Sequence, residues 1–262
     1  MKMRFSRRGV AAFYRPGPAY GSVTEERRRW IAKEPMRHVA MLPEGESLLD
    51  ETVGLAISAA VPPCGIDAGT FEGLEPFERC CRLGEAWEAD FLLMRPDSSG
   101  VFRMVGGCLC FPSHWDLREK MGRSMREIHE PVPGLNESLG RQIDGFLQRI
   151  KPGISWEREN WGLCRTPDLN QHPARRLPRL NATTGPDEVW LRVEEQSLVA
   201  LPASGGVLFG IKVKVVPLVR IKARPGACRG LIRALRTMPE AVADYKGIAP
   251  ARGRLLELLG AD

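Results

Sequence analysis

The sequence predicts an α+β domain built on antiparallel strands, and three observations carry that expectation. In residues 189–196, Val189, Leu191 and Val193 fall on one side of an extended chain, while Trp190, Arg192, Glu194 and Gln196 fall on the other. Val207, Phe209, Ile211, Val213 and Val215 alternate in the same way with Leu208, Gly210, Lys212 and Lys214, after the short connection Pro202-Ala203-Ser204-Gly205-Gly206. Leu139, Ile143, Phe146, Leu147 and Ile150 recur instead at helical spacing. Antiparallel strands grouped with inserted and terminal helices define the class.

Taken in chain order, residues 1–40 hold ten Lys or Arg against three Glu, and the first acid is Glu25. The segment 1–35 reads as a flexible basic arm, followed by a single domain over 36–262. Arg4, Arg7, Arg8 and Arg15 with Ser6 and Ser22 also fit a mitochondrial presequence, but no apolar run of a secretory signal is present, so the expected location is the cytoplasm. Pro16-Gly17-Pro18 and Pro62-Pro63-Cys64-Gly65 read as loops. Residues 90–111 form a hairpin around Pro96-Asp97-Ser98-Ser99-Gly100. Ser113 with Asp116, and Ser124 with Glu127, are two helix-start signals. Gly122 and Pro131-Val132-Pro133-Gly134 keep both helices short. A longer amphipathic helix runs from Asn136 to the stop at Lys151-Pro152-Gly153, and helices return at 227–238 and 250–259.

Composition excludes several classes. With 43% apolar and 27% charged residues the chain is an ordinary globular sequence, and no window reaches the roughly 18 to 20 apolar residues of a membrane span. The formal charge of +6 sits in the arm, since the rest carries 28 basic and 29 acidic residues. With no zinc-finger spacing and no RNA-binding aromatic signature, a specific nucleic-acid role is not expected. The seven cysteines are odd in number and lack any Cys-x-x-Cys, which argues for a reducing compartment. Cys108 and Cys110 read as small buried thiols on one side of a strand. Four histidines, His38, His114, His129 and His172, are the only imidazoles available.

Five ordered blocks carry a resemblance: Cys110-Phe111-Pro112-Ser113-His114-Trp115 with Glu119-Lys120-Met121-Gly122; Ile128-His129-Glu130-Pro131-Val132-Pro133-Gly134; Arg158-Glu159-Asn160-Trp161; Leu191-Arg192-Val193-Glu194-Glu195-Gln196-Ser197-Leu198 with Leu201-Pro202; and Tyr245-Lys246-Gly247. Over roughly residues 75 to 260 the chain resembles the haem-dependent oxidative N-demethylases, the haem subunits of dimethylamine monooxygenases. The resemblance implies a PAS-like antiparallel sheet with flanking and inserted helices. It also implies haem b, O2 activation, and oxidative removal of a methyl group from a small secondary amine, giving formaldehyde and a primary amine. Electrons would come from NADPH through a separate reductase component carrying FMN and a [2Fe–2S] cluster. The absence of a Gly-x-Gly-x-x-Gly fingerprint and of cluster-type cysteines agrees with an external supply.

The same resemblance assigns expectations to single residues. His129, between a short helix and the Pro-Val-Pro turn, is the expected axial ligand to haem iron. The alternative is a histidine that bonds the turn backbone. His114 reads as a surface residue at a helix start. Glu194 and Arg158 are the expected catalytic pair: Glu194 to hold a dialkylammonium or take its proton, Arg158 to steady bound oxygen or orient the carboxylate. The alternative is a structural ion pair on a sheet face. Trp161 and Arg192 complete the cofactor-binding set, with Trp161 and Trp190 either walling the pocket or serving as core. Tyr245-Lys246-Gly247 is expected to fix the C-terminal helix. Glu195 and Ala200 stand where relatives commonly carry Arg, which leaves the amine open, as is the oligomeric state. A haem-binding PAS-type sensor or carrier without catalysis is the competing function.

Overall fold

The computed structural model describes residues 5–58 and 65–261, so the loop expected around Pro62-Pro63-Cys64 lies outside the described residues. Seven strands among them, β1 (Ser6–Gly9), β2 (Val39–Met41), β3 (Asp90–Pro96), β4 (Phe102–Cys108), β5 (Ile154–Cys164), β6 (Trp190–Leu201) and β7 (Gly206–Pro217), form one sheet in the order β1-β5-β6-β7-β3-β4-β2. Every pairing is antiparallel.

The longest ladders, β5–β6 and β6–β7, set which side chains share a face. Arg158 stands opposite Gln196 and Asn160 opposite Glu194, while Ile211 and Val213 oppose the same two residues from β7. Because directly opposed residues project to the same side, Arg158, Asn160, Arg192, Glu194 and Gln196 form one polar row. The alternation expected for β6 and β7 is thus present, with Val207, Phe209 and Ile211 continuing that face as apolar surface.

Residues 109–150 cover this side of the sheet. Leu109 and Leu117 pack with Leu92, Met104 and Ile211, and Leu147 of the helix Leu135–Leu147 packs with Met94, Phe102 and Val207. The opposite side is covered twice. Leu48, Leu49 and Leu83, from helices Glu46–Ser58 and Pro76–Ala86, meet Phe91, Leu93, Leu201 and Leu208. Leu235 and Leu255, from helices Pro225–Thr237 and Arg252–Leu259, close over Leu163 and Val189. Those two terminal helices match the expected positions.

Local chemistry fixes the connections. Asp97 caps the β3–β4 turn by accepting the Ser99 and Val101 N–H groups (2.9 and 3.1 Å) and the Arg103 Nε–H (2.9 Å). Those donors hold its carboxyl well below the usual range, hydrogen bonds from Ser99 being the largest contribution. At Gly107, a Cβ would lie 2.2 Å from the Phe91 carbonyl oxygen, so only glycine allows the close approach of β3 and β4 there. Ser124 and Glu127 form the expected capping box, Glu127 accepting the Ser124 N–H at 2.7 Å, and start the helix Met125–His129.

Two expectations are corrected. Ser113 and Asp116 start no helix: residues 113–123 run as turns, because Asp116 engages Arg118 (2.7 Å) and the Ser113 hydroxyl is drawn to the sheet. Nor is the described part of segment 1–35 a flexible arm. Ser6–Gly9 is an edge strand on β5, Phe13 and Tyr14 enter the core, and Tyr20–Lys33 is a packed helix. Its charges mislead because their partners lie far along the chain. Arg8 meets Glu157 at 3.5 Å, Arg7 lies 4.4 Å over the Trp156 ring, and Arg27 is fully buried against Asp90.

Arg27 donates from Nη1 to Asp90 Oδ1 at 2.5 Å and from Nε to the Gly84 carbonyl at 2.6 Å, and Asp90 also accepts the Cys110 and Phe111 N–H groups at 2.6 and 3.1 Å. Cys108 and Cys110, both buried as expected, sit beside this pair with their sulfurs 3.8 Å apart. Removing one partner strands a charge in a site of 0% exposure. Asp90→Ala should therefore lose about 3–5 kcal/mol in urea denaturation, whereas a loss below about 1 kcal/mol would show that the pair does not hold the helix to the sheet.

Candidate functional site

Glu194 is buried (9% exposed) in the middle of the polar row, and three side chains supply it with donors. Ser113 Oγ donates to Oε1 at 2.5 Å, Gln196 Nε2 donates to Oε2 at 2.9 Å, and Asn160 Nδ2 donates to Oε2 at 3.3 Å. A carboxylate oxygen accepts about two hydrogen bonds in plane, so Oε2 is filled and Oε1 keeps one acceptor position.

Each donor is itself held. The Ser113 hydroxyl accepts from Arg192 Nε at 2.8 Å, which turns its proton toward Glu194. Arg192 is 3% exposed, and its other nitrogens donate to the carbonyls of Phe111 (2.7 Å) and Asp168 (3.4 Å). Burial pulls its guanidinium below the ordinary value, while the charge of Glu194 opposes that shift. Gln196 is fixed from the other side: Arg158 Nε donates to its Oε1 at 2.7 Å, leaving the amide nitrogen to face Glu194.

The expected pair Arg158 and Glu194 is therefore brought together through an intervening amide, and no direct ion pair forms between them. Arg192 buttresses Ser113, its nitrogens donating to the Ser113 hydroxyl and to the Phe111 and Asp168 carbonyls. Trp161 is also placed differently. It faces Val193 across the ladder, on the opposite side from Glu194, and packs with Leu163 and the C-terminal helices. Strand alternation excludes it from the Glu194 side. Trp190 lies on the Glu194 side by the same alternation. Tyr245-Lys246-Gly247 gains a role: Lys246 Nζ donates to the Trp161 carbonyl at 2.6 Å and lies 5.4 Å over its ring. Burial lowers the Lys246 pKa and raises that of Tyr245, and both groups feel the charge of Glu194.

Sequence reasoning gave no role to Ser113 beyond a helix cap, and none to Asn160 or Gln196. The available signal was strand period: Asn160 stands two residues from Arg158, and Gln196 two from Glu194. Ser113 had no such signal, because its partner is 81 residues away.

His129 ends the helix Met125–His129, and its carbonyl accepts the Val132 N–H at 2.9 Å, so the Pro-Val-Pro turn fixes the backbone. Its Nδ1 is buried without a hydrogen-bond partner. Burial first, then the nearby Arg158 and Lys120, pushes the imidazole down to about 4, so it is neutral at pH 7. No group of three His, Cys, Asp or Glu side chains gathers as a metal site among the described residues. A haem iron asks less of a protein, a single neutral imidazole, and His129 fits that demand. A cleft of about 600 Å³ lies at the end of β1, lined by Phe5, Arg15, Glu159, Lys212 and the coupled Arg158 and Gln196.

The remaining histidines serve elsewhere. His114 is half-buried at φ 64° and is pushed to about 4, mainly by burial and then by Arg179 and Arg192, in place of the surface position expected. His38 and His172 are buried with rings 6.3 Å apart, and His172 Nε2 lies 3.3 Å from Asp116 Oδ2.

The fold is PAS-like α+β, with the Glu194 carboxylate sunk into one face of its sheet and the neutral imidazole of His129 within the field of Arg158 on that face. The family model described as haem-dependent oxidative N-demethylase, alpha subunit-like, matches residues 69–256, and the chain belongs to that family. The family's description itself names haem dependence, oxidative N-demethylation and an alpha subunit. No helix among the described residues is long and apolar enough to cross a membrane.

All four imidazoles are depressed in the folded chain, each mainly by burial. The unfolded chain takes up protons near pH 6.5, so stability is complete above that value and falls as pH drops toward 4. Each histidine contributes a slope of up to about 1.4 kcal/mol per pH unit. Urea denaturation of the haem-free chain at about pH 7.5, 6 and 5 should show this decline; a flat profile would contradict it.

Proposed function

We propose that this chain performs haem-dependent oxidative N-demethylation of a small secondary amine of the dimethylamine type. One oxygen atom of O2 leaves in formaldehyde and the other in water, with two electrons and two protons drawn from a donor; the second product is the primary amine. The observation that carries the reading is the buried Glu194 carboxylate with one acceptor position open on Oε1.

His129 would hold the haem b iron. When bound, the haem supplies O2 activation and the oxidation of the methyl carbon. Glu194 accepts an N–H of the dialkylammonium at the open position on Oε1, which fixes the nitrogen and hence the methyl groups. Ser113, Asn160 and Gln196 keep the carboxylate from rotating. Arg158 acts through Gln196 as a positioning residue, and Arg192 through Ser113. The electron supply follows the family resemblance: NADPH, FMN and a [2Fe–2S] cluster on a separate component.

The test is spectroscopic and kinetic. The chain purified with haem supply should show a Soret band that dimethylamine shifts, and His129→Ala should lose or move that band. Glu194→Gln should keep the band and lose about 100-fold or more in turnover. Normal turnover in Glu194→Gln would overturn the substrate site. A band that ignores dimethylamine in the parent chain, with no turnover, would favour the sensor or carrier reading instead.

A further inference from the structure

Ser113, the donor that reaches Glu194 from outside the sheet, sits in a stretch of backbone held on both sides by one residue. The Gln171 N–H donates to the Pro112 carbonyl, and the Gln171 carbonyl accepts the His114 N–H, each at 3.2 Å. Beside these bonds His114 takes a left-handed φ of 64°, a strained conformation for a residue with a Cβ. Strain of this kind persists only where the surroundings over-determine the backbone, so the placement of Ser113 depends on that of Gln171.

Gln171 lies in the loop that follows β5, and Arg175 closes that loop. Its Nη2 donates to Asp168 Oδ1 at 2.8 Å and its Nη1 to the Asn170 carbonyl at 2.5 Å, contacts that span seven and five positions. A guanidinium fork meeting two fixed acceptors holds direction as well as distance. Neighbouring contacts in the loop are shorter in range: Gln171 Nε2 donates to the Asp168 carbonyl at 3.3 Å, and Asn170 Oδ1 accepts the His172 N–H at 3.0 Å. The Arg175 guanidinium also lies 4.9 Å over the Trp30 ring, on the helix Tyr20–Lys33. Asp168 presents its carbonyl to Arg192 at 3.4 Å, and Arg192 orients the Ser113 hydroxyl. Arg175 therefore stands behind both supports of Ser113, the backbone bonds to Gln171 and the guanidinium of Arg192. The helix Tyr20–Lys33 reaches Ser113 from two directions, upstream from Arg27 through Asp90 to the Phe111 N–H and downstream from Trp30 through Arg175.

We propose that Arg175 is a positioning residue for the amine at Glu194, acting through Asp168 and Gln171 on Ser113, a role that rests on the function proposed above. Without Arg175 the loop is released at Asp168 and Asn170, and the Ser113 hydroxyl loses its fixed direction. Oε1 of Glu194 then loses the donor that Ser113 supplies, and the carboxylate turns away from the orientation in which it holds the amine.

The test uses the haem-loaded full chain, with dimethylamine titrated against the Soret band. Arg175→Ala should bind dimethylamine about tenfold or more weakly, with the band of the amine-free protein and its haem content unchanged. Asp168→Ala should give a comparable loss, and the two together should lose no more than about threefold beyond the larger single loss, because both cut the same contact. Asp168→Asn, which keeps an acceptor oxygen for Arg175, should restore binding to within about threefold of the parent. Arg176→Asn, the loss of a neighbouring exposed cation at a φ of 50° that Asn tolerates, should leave binding within about twofold. Thermal melts establish that each variant is folded, and the comparison of Asp168→Ala with Asp168→Asn reads the same contact without altering Arg175. Parent-like binding in Arg175→Ala, equal losses in Asp168→Ala and Asp168→Asn, or a loss in Arg176→Asn as large as in Arg175→Ala would each overturn the proposal. So would a fall in haem content or melting temperature with the dissociation constant of the loaded molecules unchanged, the mark of a purely structural contact. A parent band that ignores dimethylamine overturns the function proposed above and this role with it, whereas a parent shift that Arg175→Ala retains overturns the role alone.

Discussion

A carboxylate in the middle of a sheet face must be given hydrogen-bond donors, and the surroundings of Glu194 are organised by that requirement. β5 contributes Asn160, β6 contributes Gln196, and the turn after β4 contributes Ser113. These donors lie on three segments, so the carboxylate ties the covering segment to the sheet at the point where a ligand would sit. Arg158 and Arg192 set the donors from behind. The arrangement separates charge from contact: the guanidinium groups act at one remove, and the carboxylate meets neutral groups directly. The anion is thus left with no cation in direct contact to compete for it.

The buried ion pair of Arg27 and Asp90 works differently. Arg27 and Asp90 meet directly at 2.5 Å, with no solvent and no vacant acceptor position of evident use. Asp90 also takes the Cys110 and Phe111 N–H groups, which steers the chain out of β4 toward Pro112 and Ser113. The helix Tyr20–Lys33 is therefore joined to the placement of Ser113 through one carboxylate. The first third of the chain, which matches the family least, supports the site indirectly.

Legibility in the sequence followed the range of the interactions. The faces of β6 and β7, the hairpin at Asp97 and the Ser124–Glu127 cap were readable because each depends on residues a few positions apart. Glu195 points away from Glu194, as the strand period requires, and pairs with Lys214. The basic beginning of the chain was misread because a guanidinium on a sequence does not disclose its partner: Arg27 and Asp90 are 63 positions apart. Trp161 was grouped with Arg158 and Asn160 by motif, yet the strand period sends it to the other face. Ser113 looked like a helix cap because caps and carboxylate donors draw on the same hydroxyl chemistry, and only the fold distinguishes the two uses.

The distances along the chain within the Glu194 network have a consequence for folding. Ser113 and Glu194 are 81 positions apart, and Asn160 and Glu194 are 34 apart. No fragment of local structure can assemble this network, so it comes into being only when the β5–β6–β7 ladders have closed and the covering segment has docked. A molecule that binds there selects the completed sheet alone. Its binding free energy is then added to the global stability of the domain, and occupancy of the open acceptor position and persistence of the fold become a single equilibrium.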